Sequence, residues 1–128
     1  MMVRNDLTII SYGATVHTAM VAAERLAEGG HEVRVIDLRS LVPLDEAMII
    51  RAARETSRVL IAHEHAQQGG FAGEVMGVIN EHAFDYLDAP IRRVAAPNTP
   101  VPYSPSLEDA YLPSTDAIVR VAEEMLAY

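Results

Sequence analysis

The chain has 128 residues, of which 50% are hydrophobic, and a formal net charge of −8 from 18 acidic and 10 basic residues. This length predicts one domain with enough buried surface to fold without disulfide or metal cross-links. The sequence has no cysteine, so disulfides, thiolate metal sites and cysteine nucleophiles are excluded. The acidic balance disfavours nonspecific binding to nucleic acids, which depends on Lys and Arg, and it favours basic partners.

The sequence carries no segment that predicts membrane insertion or export. No apolar run reaches the roughly 18 residues of a membrane-spanning helix. Residues 1–6 lack the apolar core of a secretory signal and show no transit peptide. We therefore expect a protein of the cytoplasm, or of the mitochondrial matrix if its source is eukaryotic.

Four short runs rich in Val and Ile predict β-strands, because such runs fit a pleated and buried sheet. Each run is bounded by Gly, Pro or polar residues. The predicted strands lie at residues 7–12, 33–38, 59–63 and 91–95.

Four helical patterns alternate with these strands, and each has an apolar stripe at spacings of three and four residues. The first helix ends at Gly29-Gly30, and the second begins with Asp45 as its N-cap. The third covers about residues 70–84, and the fourth begins at Ser114. The stripes predicted to face the core are Val16, Met20, Ala23 and Ala27 in the first helix; Ile49, Ala52 and Ala53 in the second; Val75, Val78, Ile79 and His82 in the third; and Ile118, Val121, Ala122 and Met125 in the fourth.

Strands separated by helices of this length predict an α/β fold with a mostly parallel sheet covered on both faces. Both patterns stop after the last strand, in a segment that holds five of the seven prolines. Proline lacks a backbone donor and resists helix formation, so this segment is predicted to be an extended arm. The chain is thus predicted to be a single domain, residues 1–128, with a leader at 1–6, the proline-rich arm at 96–113 and a closing helix at 114–127.

A candidate metal site is the sequence His63-Glu64-His65 at the end of the third strand. Ligands bind at the carboxyl ends of strands in open α/β sheets. Two imidazoles at positions i and i+2 share one face of a strand and could converge on a metal ion. The alternative is that His63 is held by hydrogen bonds while His65 lies in a loop. No third ligand is indicated by spacing, so no metal site is predicted.

A second candidate is the glycine-rich run at residues 69–73, which precedes the third helix. Glycines at a helix start let backbone N–H groups approach a phosphate. The run matches neither phosphate-binding glycine motif, and it contains no Lys or Arg. Gly70, Gly73 and Gly77 also form a smooth stripe, so close packing against a neighbouring helix is the favoured interpretation. On these grounds the chain has no predicted catalytic, cofactor-binding or metal-binding residue.

Three stretches together closely resemble one domain of a known enzyme family. They are residues 35–45 (VIDLRSLVPLD), the His63-Glu64 pair with the glycine run that follows it, and residues 84–94 (FDYLDAPIRRV). They resemble the C-terminal domain of the beta subunit of thiamine-diphosphate-dependent 2-oxo acid dehydrogenases, in the transketolase C-terminal-domain superfamily. The proline-rich arm and the closing helix extend the resemblance to about residues 7–126.

The resemblance implies a Rossmann-like three-layer α/β/α sandwich with a mixed sheet of about five strands, one of them antiparallel. The parent enzyme would decarboxylate a 2-oxo acid, such as pyruvate or a branched-chain 2-oxo acid, and pass the acyl group to lipoyl-lysine. Its thiamine diphosphate and magnesium would be held by the other beta domain and the alpha subunit, so this chain alone is expected to be inactive. His65 departs from the family, in which alanine is common there. Asp37 and Arg39 lie at a strand end where the family keeps a structural environment of arginine and carboxylate, so they are expected to serve the architecture and not catalysis.

The resemblance also implies partners. They are the remainder of the beta subunit, the alpha subunit, a second beta subunit and the basic subunit-binding domain of dihydrolipoamide acyltransferase. The last would dock on an acidic tail surface, for which the alternative is an ordinary solvated helix face. The residues predicted for this surface are Glu108, Asp109, Asp116, Glu123, Glu124 and the carboxylate of Tyr128.

Two other functions stay open. One is the equivalent domain of a transketolase or a deoxyxylulose-phosphate synthase, which the proline-rich arm disfavours. The other is a free-standing module that binds a small ligand at the start of the helix near Gly70.

Overall fold

The computed structural model of the chain describes residues 6–39, 44–66, 71–96 and 114–128. Within these ranges a β-sheet lies between two layers of helices, which confirms the predicted α/β/α sandwich. No helix in the described ranges is both long and apolar enough to cross a membrane.

Among the described residues, the sheet contains four strands in the spatial order β2-β1-β3-β4. All three strand pairs are parallel, with Leu7 opposite Val33 and Thr8 opposite Val59. The strands are β1 (Leu7–Ser11), β2 (Val33–Asp37), β3 (Val59–Ala66) and β4 (Arg92–Ala96). The antiparallel strand implied by the resemblance is not among the described residues, and residues 97–113 of the predicted arm lie outside them.

In the described part of the chain, four α-helices and one 3₁₀ turn connect or follow these strands. The N-cap predicted for the second helix is confirmed, since the Asp45 side chain accepts from the Met48 N–H at 3.1 Å. The structure adds a cap on the fourth helix, where Ser114 Oγ accepts from the Ala117 N–H at 3.1 Å. Each such cap stabilises a helix by about 0.5–2 kcal/mol. The elements are α1 (Thr15–Glu28), α2 (Glu46–Thr56), α3 (Ala72–His82), the 3₁₀ turn (Phe84–Tyr86) and α4 (Thr115–Leu126).

Two hydrophobic clusters fill the space on either side of the sheet. One joins α2 and α3 to the sheet through side chains such as Ile49, Ile61 and Ile79. The other joins α1 and α4 through side chains such as Leu26, Leu60 and Ile118. Adjacent residues of β3 therefore point into different clusters, because side chains alternate along a strand. This explains why the central strands contain consecutive apolar residues, such as Ile9-Ile10 in β1 and Leu60-Ile61-Ala62 in β3.

The predicted buried face of α1 is wrong. The buried residues are Thr15, Ala19, Ala22 and Leu26, whereas Met20 is 52% exposed. The stripes of the second and fourth helices are buried as predicted. In the third helix Val75, Val78 and Ile79 are buried, but His82 is exposed.

Candidate functional site

The carboxyl edge of the sheet has one topological switch point. β1 and β3 are neighbours, and the chain leaves β1 for β2 on one side and β3 for β4 on the other. Ligands of open α/β sheets bind at this kind of position. Tyr12 follows β1 there, and His63 lies on β3 beside it.

Aromatic rings fill this position. The rings of Tyr12 and His63 are stacked with their centroids 5.9 Å apart, and the Phe71 ring meets Tyr12 edge-on at 6.3 Å. His63 is fully buried, and the nearby Ser11 Oγ donates to the Ala62 carbonyl at 2.7 Å. The described side chains at the switch point are therefore packed against one another like a core.

Burial of Tyr12 raises the pKa of its hydroxyl above the ordinary 10.0, and the charge of nearby Glu64 raises it further. Both effects disfavour the phenolate, through loss of solvation and like-charge repulsion. Above pH 10 the unfolded chain loses this proton while the folded chain still holds it. Because the unfolded state then binds fewer protons, stability falls as pH rises through this range.

We expect Tyr12→Phe to reduce the loss of stability between pH 9 and pH 11, because phenylalanine cannot ionise. Urea unfolding at pH 9, 10 and 11 measures how steeply the free energy of unfolding of each protein falls with pH. Phe84→Leu, which changes an exposed ring outside the cluster and removes no titratable group, is the control and should keep the native dependence of stability on pH. If the free energy of unfolding fell as steeply with pH in Tyr12→Phe as in the native chain, folding would not raise the pKa of Tyr12.

The structure separates the members of the candidate metal sequence. His63 is buried against Tyr12, while Glu64 is exposed on the other face of the strand. The side chain of His65 lies outside the described residues. Among those that are described, no group of three His, Cys, Asp or Glu side chains could hold a metal ion.

Asp37 and Arg39, for which an architectural role is expected, form a weak local contact after β2. Arg39 Nε lies 3.8 Å from the Asp37 carboxylate, and the Arg39 side chain is 91% exposed. Exposed pairs of this kind contribute about 0–1 kcal/mol. The pair therefore adds little to the stability of the strand end.

The glycine stripe does not pack against a helix, and that prediction is wrong for the described residues. A Cβ atom built on Gly73 or Gly77 meets nothing within 4 Å. α3 packs on α2 through its opposite face, which carries Val75 and Ile79. Each glycine costs the helix about 0.5–1 kcal/mol relative to alanine, and no contact in the described chain offsets that cost.

The acidic tail surface is partly neutralised by arginines. Asp116 pairs with Arg25 at 2.5 Å, and Glu124 pairs with Arg92 at 3.0 Å. Arg58 also donates to the main-chain oxygen of Tyr128 at 2.9 Å. Glu123 is exposed and forms no ion pair within the described residues. Glu108 and Asp109 lie outside those residues.

The structure reveals a groove that the sequence analysis missed. It lies between α3, the 3₁₀ turn and the loop that leads into β4, and its volume is about 820 Å³. The signal for this groove in the sequence is the pair Gly73 and Gly77, which lie on the open face of α3. The groove is lined by Met76, Gly77, Asn80, Phe84, Asp85, Leu87, Asp88, Ala89, Pro90 and Ile91.

The described residues do not fit magnesium and thiamine diphosphate. A magnesium-bound diphosphate needs clustered oxygen ligands, and the described residues offer no group of three such side chains. The helix that follows the glycine run carries Glu74 in its first turn, where a carboxylate repels a phosphate. The switch point is filled by the Tyr12, His63 and Phe71 rings.

Comparison with known proteins shows the family. Residues 3–118 match the family model described as "Transketolase, C-terminal domain". The beta subunit of acetoin:2,6-dichlorophenolindophenol oxidoreductase from Bacillus subtilis is 46% identical over 122 residues, covering 95% of this chain and 36% of that protein. The beta subunit of 2-oxoisovalerate dehydrogenase from the same organism is 40% identical over 125 residues, which cover 97% of this chain and 38% of that protein.

A solved structure has the same fold. It is titled "Split gene transketolase, inactive beta4 tetramer", and it is 27% identical with a TM-score of 0.82, covering 98% of this chain and 39% of that one. The chain thus spans less than two fifths of the length of these relatives. By sequence, and by a fold that places helices on both faces of a parallel sheet, it belongs to the transketolase C-terminal domain family.

Proposed function

We propose that the chain is the assembly domain of the beta subunit of a thiamine-diphosphate-dependent 2-oxo acid dehydrogenase. The observation that carries the proposal is the sequence identity, 46% and 40%, to two oxidoreductase beta subunits. The chain covers only 36% and 38% of the length of those subunits. The match to a split-gene transketolase is lower, at 27% identity. This difference favours the dehydrogenase class over a transketolase.

The chemistry of the parent enzyme would lie outside the described residues. Thiamine diphosphate supplies carbanion chemistry when bound, and the protein orients it and excludes competing reactions. The described chain offers no fitting site for it, so its own contribution is a stable α/β/α body that joins other subunits. The whole enzyme would oxidatively decarboxylate a 2-oxo acid and transfer the acyl group to lipoyl-lysine.

The partners that we propose are the remainder of the beta subunit, an alpha subunit and a second beta subunit. The basic subunit-binding domain of dihydrolipoamide acyltransferase would dock on carboxylates of this domain, including the tail surface. On that surface Asp116 and Glu124 already pair with arginines. Among the described carboxylates of the tail surface, Glu123 is therefore the one whose charge is least neutralised by arginine.

This function makes the chain inert toward the cofactor when it is alone. Titration calorimetry of the chain with magnesium and thiamine diphosphate should give no saturable heat at micromolar protein. Micromolar affinity corresponds to about −8 kcal/mol, which is easily measured. Saturable binding at that level would place the cofactor site in this chain and would contradict the proposal.

A further inference from the structure

A second concave surface, which we call the arginine cleft, lies between α2 and the C-terminal end of α3. Its volume is about 570 Å³, within the range of about 300–1,000 Å³ that small-molecule sites usually have. Three of its six described lining residues are basic, in a chain whose net charge is −8. These residues, which are distinct from those of the groove beside α3, are Ala47, Ile50, Arg51, Arg54, Glu55 and His82.

The described part of the cleft has an excess of positive charge that no carboxylate neutralises. Its own carboxylate, Glu55, already pairs with Arg34 of β2 at 2.6 Å. His82 lies 3.8 Å from the carboxylate of Glu81 on its own helix. Arg51 is exposed and forms no ion pair or hydrogen bond with another described residue. The arginines of α2 therefore supply the free charge of the cleft.

Arg54 is held in place by the neighbouring end of α3 and the 3₁₀ turn. Its guanidinium carbon lies 5.1 Å from the centre of the Tyr86 ring, and its Nη2 donates to the His82 carbonyl at 3.4 Å. A guanidinium has five N–H donors, so these contacts orient the group and leave donors free. Because the side chain is already restricted, a ligand would lose less binding free energy to ordering this arginine.

Helix electrostatics explain only part of this charge. Arg54 lies in the last turn of α2, where the negative end of the helix dipole favours a cation. Arg51 lies three residues earlier, and the dipole effect falls off within the last turn. Residues three apart share one side of a helix, so Arg51 and Arg54 can contact the same anion. Two planar donor forks on one side suit an anion with several terminal oxygens, such as a phosphate group.

We propose that the arginine cleft binds a small molecule that carries a phosphomonoester. The phosphate oxygens would accept hydrogen bonds from Arg51 and Arg54, and the organic part would lie on Ala47 and Ile50. A carboxylate has a single charge and would neutralise only one arginine, whereas a phosphomonoester carries about −1.5 to −2 at pH 7. This site is separate from the assembly role, so the failure of either proposal leaves the other standing.

The test is an NMR titration of the ¹⁵N-labelled chain with phenyl phosphate, at an ionic strength kept constant with sodium chloride so that screening does not change. Amide shifts should change saturably at residues 47–55 and 82–86, and phenol should cause no change there. Arg51→Gln should weaken the affinity by at least about fivefold, because it removes a charge-assisted hydrogen bond. Arg51→Lys keeps the charge without the planar fork and should weaken the affinity less.

Arg120→Gln is the matched control. It removes the same charge from an exposed arginine of α4, across the sheet from α2, and should leave the affinity unchanged. The proposal is overturned if phenyl phosphate causes no saturable shifts in the cleft. It is also overturned if Arg120→Gln weakens binding as much as Arg51→Gln does, since the attraction would then be nonspecific. A phosphoserine peptide that binds the cleft more tightly than phenyl phosphate would assign it to a protein partner and overturn the small-molecule assignment.

Discussion

Replacing Leu26 by alanine is expected to lower the free energy of unfolding by about 2–5 kcal/mol, the range for large-to-small substitutions in a packed core. Leu26 is only 2% exposed and belongs to the cluster that joins α1 and α4 to the sheet. Urea unfolding measures the loss. The matched control is Met20→Ala on the same helix, which should change stability by no more than about 0.5 kcal/mol because Met20 is 52% exposed.

This pair distinguishes the two possible faces of α1. If Met20→Ala were the more damaging substitution, the helix would be rotated relative to the described structure. The face predicted from the apolar pattern would then be the buried one.

Truncations at two adjacent positions of β3 should both be severe. Leu60 and Ile61 are 0% and 1% exposed, and they belong to the clusters on opposite faces of the sheet. We expect Leu60→Ala and Ile61→Ala each to lower the free energy of unfolding by about 2–5 kcal/mol. In a sheet with one solvated face, only one of two neighbouring residues would be sensitive.

Urea midpoints of the two variants, measured side by side, check this expectation. Arg34→Ala on the edge strand β2 is the control, because its ion pair with Glu55 is partly exposed and contributes about 0–1 kcal/mol. A near-neutral result at either Leu60 or Ile61 would contradict a sheet covered on both sides.

Much of the fold could be predicted because strong local signals agreed with the tertiary structure. The β-branched runs fall on the four strands, although β3 continues to Ala66 and β4 to Ala96, beyond the predicted ends. Asp45 caps the second helix as predicted, and the fourth helix begins directly after Ser114, close to its predicted start. The ends of strands are harder to predict from sequence, because they depend on pairing with a neighbouring strand and not on the local sequence alone.

The face of α1 could not be predicted because the helix is rich in alanine. The predicted stripe contains Val16 and Met20, and a second stripe of smaller residues has the same helical spacing. The structure instead buries Ala19 and Ala22, where α1 packs against α4 and Ala122. Small residues permit this packing, and hydrophobicity alone does not reveal it.

The groove beside α3 was equally hidden from the sequence. It exists because the Asp88 backbone anchors the loop before β4 beside α3, a contact between segments distant in the chain. The prediction of an acidic tail surface rests on the net charge of −8 and on the family resemblance. The structure shows that Asp116 and Glu124 have arginine partners from other elements, Arg25 and Arg92.

The most direct test of the assembly role is a domain exchange in the Bacillus subtilis acetoin oxidoreductase beta subunit, with this chain replacing the matching 36% of that protein. We expect the chimera to form a complex with the alpha subunit whose molar mass equals that of the native complex. This complex should also restore acetoin-dependent dye reduction. The beta subunit from which this part is deleted should do neither. A folded chimera that fails to form the complex, or a deleted subunit that still forms it, would contradict an assembly role for this domain.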